Sequence, residues 1–313
     1  MRRHICTIAS LLLMTLASPA LGQDTKSAPA TELPPRSVPG AQPAPKLTRE
    51  EELNEALKAA FKAAKRGPEQ VKLGEQGKID LPAGYQYIPI PEAQRLMRAF
   101  GNRTGTTFQG LVLSARDENW LTVIDFKKTG YVKDDDARDW KADELLQSLK
   151  DGTEEGNADR LQRGFPELEV VGWVERPAYD ATAHRLVWSV LARNKGTPAG
   201  GNDSVNYNTY ALGREGYYQL NLITGSKEIE DQKKHARALL AALSYEDGKR
   251  YEDFNPSTDK IAEYGLAALI AGAAAKKLGL LAAIGVFFLK FAKIIAVGVA
   301  GLAVLAGKFF RRR

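Results

Sequence analysis

Apolar residues recur at helical spacing in the first patterned stretch of the chain. Leu53, Leu57, Phe61 and Ala64 fall on one stripe, and Thr48 with Glu51 forms a capping box ahead of them. An amphipathic helix is expected over 48–66, closed by Gly67 and Pro68. From Val71 the apolar period shortens towards two, in short segments bounded by turn residues, which is the pattern of antiparallel strands. Strands are expected at 79–81, 85–90, 108–114, 120–126, 168–176, 184–193, 205–212 and 217–224. Helices are expected at 91–100, 140–161 and 226–243, with Gly152 and Gly156 interrupting the second. Gly213-Arg214-Glu215-Gly216 is the clearest hairpin turn, because glycine supplies the positive φ that tight turns need. The fold class is α+β: one mainly antiparallel sheet packed by helices, spanning 71–254.

Both ends carry a different pattern. Residues 1–22 combine Arg2 and Arg3, an apolar run from Ile5 and a small-residue exit, as a cleaved signal peptide does. Residues 23–47 are rich in proline and small polar residues and read as a disordered linker. An Ala/Gly-rich amphipathic helix is expected over 259–277. It leads into 278–310, where Lys290, Lys293 and Lys308 are the only charges, and then into the basic tail 311–313. That apolar stretch reads as a membrane anchor, with Lys293 and Lys308 extending towards water at the ends of the uncharged core 294–307. A single crossing places the main domain in the periplasm and the C-terminus in the cytoplasm. Lysines and arginines on the two sides tie in number, so charge alone does not settle orientation. The alternative, two crossings at 264–289 and 291–310, must bury Lys276 and Lys277 near mid-bilayer, at roughly 2.5 kcal/mol or more each. Gly265, Gly272 and Gly279 fall seven apart, a spacing that suits either a homo-oligomeric anchor or an ordinary membrane helix.

The ends also account for the positive charge. The chain has 44 basic and 38 acidic residues, but only 33 of the basic and 36 of the acidic lie between Gln23 and Thr258. In a slightly acidic domain nucleic-acid binding, which needs a basic face, loses its main support, and no nucleic-acid partner is expected. The one cysteine, Cys6, leaves with the signal, so thiolate chemistry and disulfides are excluded from the mature chain.

Few residues suggest chemistry. His184 and His235 do not stand at ligand spacing from other histidines or cysteines, so no metal is expected; no phosphate loop or dinucleotide fingerprint occurs, so no cofactor is expected either. The densest acidic stretch supplies a candidate interaction loop, Tyr131, Lys133, Asp134, Asp135 and Asp136. It lacks the Asp-x-Asp-x-Asp-Gly alternation of a calcium loop, and acids complementing the N-terminus of the following helix explain it with less. Asn206, Asn208 and Tyr210 alternate on one strand face ahead of Arg214, a candidate polar groove or a solvated sheet face. Trp173, Trp188, Tyr179 and Pro177 read as core or edge residues, with an aromatic sugar platform as the alternative.

Several segments, in order, resemble the bacterial membrane-anchored family of domain of unknown function 2167: GNRTGTTFQGLVL, GYVKDDDARDW, NADRLQRGFPELEVVGWVERPAYD, NYNTYALGREGYYQLNL and STDKIAEYGLAALIAGAAAKKLGLLAAI. The resemblance implies an envelope protein with a signal peptide and a C-terminal anchor, and carries no catalytic residues. The ending YYQLNLITGSKEIEDQKKHARALLAALSYEDGKRYEDF is similar in pattern to the ends of the three-layer domains of the photosystem oxygen-evolving subunit. The reading favoured by these features is a non-enzymatic binding or interaction module facing the periplasm. Its contacts would be the bilayer and an envelope protein partner or a second copy. The alternative is a carboxylate-dependent hydrolase or carbohydrate-active enzyme, which needs only a pair of Asp or Glu residues.

Overall fold

The computed structural model describes residues 47–271 apart from Asp117, Asp139, Gly201 and Asn202. The signal peptide, nearly all of the linker, the anchor at 278–310 and the basic tail lie outside the described residues. Among the described residues no helix is long and apolar enough to cross a membrane.

Helix α1 (Arg49–Ala63) starts at the expected capping box: Glu51 N donates to Thr48 Oγ1 at 3.2 Å and Thr48 N donates to Glu51 Oε2 at 2.8 Å. Its buried Ala56 and Ala60 are small enough for close approach to α2 (Glu92–Ala99), and Arg95 of α2 grips Glu52 through two bonds of 2.8 and 2.9 Å. The strands are β1 (Lys65–Arg66), β2 (Glu69–Leu73), β3 (Gly77–Leu81), β4 (Tyr85–Ile88), β5 (Phe108–Ser114) and β6 (Trp120–Lys127), then β7 (Leu168–Asp180), β8 (Arg185–Asn194), β9 (Ser204–Leu212), β10 (Tyr217–Gly225) and β11 (Leu243–Tyr245). Eight form one antiparallel sheet in the order β1-β4-β5-β6-β10-β9-β8-β7, and β11-β3-β2 form a second. The expectation of one sheet is thus corrected. The pairs β2–β3 and β3–β11 leave the main sheet and, with α4 (Ile229–Ala242), cover one of its faces.

That face buries Val71, Ile79 and Leu81 of the small sheet against Trp120, Tyr207, Leu220 and Leu222 of the large one, with Leu239 and Leu240 from α4. The opposite face is covered in two places. Helices α1 and α2 sit over β4–β6 through Leu96, Met97, Leu111 and Val123. Helix α3 (Ala142–Gln162) and α5 (Ala267–Ala271) sit over β7–β9 through Leu145, Leu149, Trp188, Leu266 and Ile270. Every residue of β9 is buried as a result.

Helix α3 runs unbroken through Gly152 and Gly156, contrary to expectation. Both glycines face open space, and each costs only about 1 kcal/mol relative to alanine. The stripe Leu145, Leu149, Thr153 and Asn157 stays buried and outweighs that cost. Asn157 also clamps the following strand, donating to Leu168 O at 3.0 Å and accepting from Leu168 N at 2.8 Å.

The helix expected from residue 259 begins, within the described part, only at Ala267. Residues 259–266 instead form a strap. Tyr131 and Ile261 make a parallel bridge, with Tyr131 N donating to Lys260 O and Ala262 N donating to Tyr131 O, both at 2.8 Å.

Candidate functional site

The loop after β6 has two sides. On one side it holds the strap. Tyr131 stacks on Tyr251 and Phe254, with ring centroids 4.4 and 3.8 Å away. Asp136 caps the start of α5, accepting from Leu266 N at 2.9 Å and from Ala267 N at 3.0 Å. A carboxylate is favoured beside the unpaired amides of a helix start, as the acidic loop suggested. The helix it serves, however, begins 131 residues later in the chain and is not the one that follows the loop.

The other side of the loop faces a cavity of about 500 Å³. Asp134 and Asp135 line it together with Trp140, and Pro177 and Tyr179 are brought across from the far end of β7. This strand continues past the expected 176 to Asp180 and shifts register against β8 at three places, which carries Pro177 and Tyr179 to the rim. The Tyr179 hydroxyl donates to Asp134 Oδ2 at 2.8 Å. Burial, and next the bond to Asp134, hold the Tyr179 phenol well above its ordinary range, so it stays a donor. His184, at φ 52° in the turn between β7 and β8, places Nδ1 3.2 Å from the Tyr179 oxygen and 3.7 Å from Asp134 Oδ2. Lys133 is exposed.

The residues of the expected polar groove divide. Asn206, Asn208 and Tyr210 do share one face of β9, and all three are buried. They continue across β10: Asn221 Nδ2 donates to Asn206 Oδ1 at 3.0 Å, and Gln219 Nε2 donates to the Tyr210 oxygen at 3.2 Å. The Tyr210 hydroxyl donates to Leu269 O of α5 at 3.0 Å. Arg214 lies beyond the end of β9, in the hairpin turn. There it makes a fork to Asp259, at 2.7 Å from Nε and 2.9 Å from Nη2. Arg214, first among several donors, holds the Asp259 carboxyl far below its usual range. The acidic loop and the β9 group, separate in sequence, therefore grip the same segment, 259–269.

A further polar cluster had no signal in the sequence beyond one helical histidine. His235 of α4 stacks on Trp120, centroid to centroid 4.9 Å, with Nδ1 2.8 Å from the Tyr85 hydroxyl and Nε2 3.2 Å from Glu118 Oε2. Glu118 Oε2 also accepts from Trp120 Nε1 at 2.9 Å and Ser114 Oγ at 3.1 Å. Burial holds the His235 imidazole below its ordinary range; the Glu118 carboxylate offsets this in part, while Lys234 and Arg116 add to the lowering. The neutral ring then accepts the Tyr85 proton at Nδ1 and carries its own proton at Nε2, close to the Glu118 carboxylate but without the alignment of a hydrogen bond. An unfolded histidine takes up a proton near pH 6.5, so below that value the unfolded chain binds more protons and stability falls with pH. The urea midpoint should therefore drop between about pH 7 and pH 5.5, with a smaller drop for His235→Gln. An equal drop in both proteins would show that His235 is not the linked group.

The fold and its gripped C-terminal strap define an α+β domain built on an eight-stranded antiparallel sheet. The chain belongs to the family described as Protein of unknown function (DUF2167), whose model matches residues 65–303. No curated protein matches the chain in sequence. Among solved structures, cyanobacterial PsbP (CyanoP) from Synechocystis sp. PCC 6803 is similar at 7% identity and a TM-score of 0.35, covering 59% of this chain and 93% of that one. The Saccharomyces cerevisiae Ran-binding protein Mog1p is similar at 13% identity and a TM-score of 0.31, covering 60% and 98%. A Pseudomonas aeruginosa protein of unknown function, PA94, described as a putative regulator, is similar at 9% identity and a TM-score of 0.24, covering 56% and 95%.

Proposed function

We propose that this chain is a non-enzymatic binding module of the bacterial envelope, its folded domain in the periplasm on a single inner-membrane crossing and its C-terminus in the cytoplasm. One observation carries the binding reading: the loop that lines the 500 Å³ cavity with Asp134 and Asp135 is the loop that holds the strap with Tyr131 and Asp136. A group seated in the cavity touches the element that fixes where the chain leaves the domain. The single crossing has support from the packing of Leu266, Leu269 and Ile270, which are buried against α3 and β9. A first crossing at 264–289 would have to remove them from that core.

Alkaline phosphatase fused after Arg313 tests the orientation. The fusion is expected to be inactive, whereas the same enzyme fused after Ala271 is expected to be active. Activity after Arg313 would overturn the single crossing, and inactivity after Ala271 would overturn the periplasmic placement.

A further inference from the structure

The geometry points to an organic ammonium group as the ligand of the cavity between the Asp134–Trp140 loop and the end of β7. The inference rests on the binding-module reading above and gives that module a ligand class. None of the described residues lining the cavity is basic; two are carboxylates, two are aromatic, one is proline and the rest are alanine. Trp140 and Tyr179 are among the lining side chains, and an aromatic ring face attracts an alkylammonium more than a neutral or anionic group. Asp134 is half-buried, and its Oδ2 is spent on the Tyr179 hydroxyl. Its Oδ1, and both oxygens of Asp135, accept no hydrogen bond and make no ion pair among the described residues. Two neighbouring carboxylates with free acceptor oxygens beside apolar walls favour a ligand that brings positive charge and N–H donors. The protonated phenol of Tyr179 cannot supply that charge, and His184, 3.2 Å from its oxygen and 3.7 Å from Asp134 Oδ2, is not among the described residues that line the cavity. Among the described side chains lining the cavity an anion would meet two carboxylates and no cation, and a neutral sugar would leave their charge unmatched.

Ammonium groups reach such a site either on a free amine or on an aminated lipid headgroup. Titration calorimetry on the full chain in neutral detergent, with cadaverine as the probe, tests the first source. Flotation with vesicles of phosphatidylethanolamine and phosphatidylglycerol, against phosphatidylglycerol alone, tests the second, read as Trp140→Ala against wild type because the anchor itself binds vesicles. Asp135→Asn keeps the shape of an exposed side chain that has no partner among the described residues and should weaken binding roughly tenfold. Asp143→Asn, which removes an exposed carboxylate outside the cavity, should leave binding unchanged. Trp140→Ala should weaken it by a similar factor, with unchanged far-UV circular dichroism showing that the fold is kept. Absence of binding by both sources overturns the ligand class. Binding that Asp135→Asn and Trp140→Ala leave intact overturns the site. Either result leaves the membrane orientation, tested by the phosphatase fusions, where it stands.

Discussion

Replacement of Trp120 by alanine should lower stability by about 3–5 kcal/mol, the range for emptying a large aromatic from a well-packed core. Trp120 is 1% exposed and sits where β6 meets α4, with its indole against both His235 and Tyr85. The loss extends beyond volume. Glu118 would lose the Nε1 donor that, with Ser114, counters the effect of burial and holds its carboxyl below the ordinary range. His235 would lose the ring that covers it. Trp120→Phe separates the two contributions, since it keeps most of the packing but not the donor, and should cost about 1–2 kcal/mol. Urea unfolding followed by far-UV circular dichroism reads both variants. A loss below about 1 kcal/mol for the alanine variant would mean that this corner of the core is not packed as described.

The large sheet was legible in the chain because its central strands alternate cleanly and their turns carry glycine. The pair β9–β10 keeps its register from Tyr217 opposite Leu212 to Gly225 opposite Ser204, around the turn that Gly213 and Gly216 announce. The second sheet was not legible. β11 is three residues long and follows α4 without a break, and β2 spends most of its side chains on solvent, so neither shows a period of its own. Its pairing with β3 is a tertiary event. The strap was misread for a related reason. Residues 259–271 are small and apolar enough to suit a helix, and the backbone bonds that extend the first part come from Tyr131, far away in the chain.

The candidate residues were legible as types and not as partners. Dense carboxylates beside a helix start were the right physics for Asp136, but sequence proximity assigned the wrong helix. The alternation in β9 placed Asn206, Asn208 and Tyr210 on one face, and could not say that the face would be covered or that Arg214 would turn away to Asp259. Tyr179 reaches Asp134 from 45 residues away, through a strand with register shifts at Gly172 and around Pro177, residues that mark an irregular strand without saying what it brings together. Long-range contacts of polar side chains are set by the packed backbone, so a single sequence carries little trace of them.

Gly130→Ala should separate the strap from the loop. Gly130 has φ 94°, in the region that an L side chain enters only at a cost, and a Cβ there would lie 2.6 Å from Lys260 O and 3.2 Å from Ala262 N. Those are the backbone groups flanking the parallel bridge, and backbone cannot rotate aside as a long side chain does. Gly164 is the control, with φ 74° and open space around it, so Gly164→Ala carries the conformational strain of about 1–2 kcal/mol without the contact. Gly130→Ala should cost more, about 2–4 kcal/mol. Its excess should appear as local loss of protection at the Tyr131 and Ala262 amides in native-state hydrogen exchange, while the β9 and β10 amides keep theirs. Because Asp134 and Asp135 ride on the same loop, cadaverine affinity should fall in Gly130→Ala and hold in Gly164→Ala. Equal protection of the strap in both variants would break the link between the cavity and the point where the chain leaves the domain.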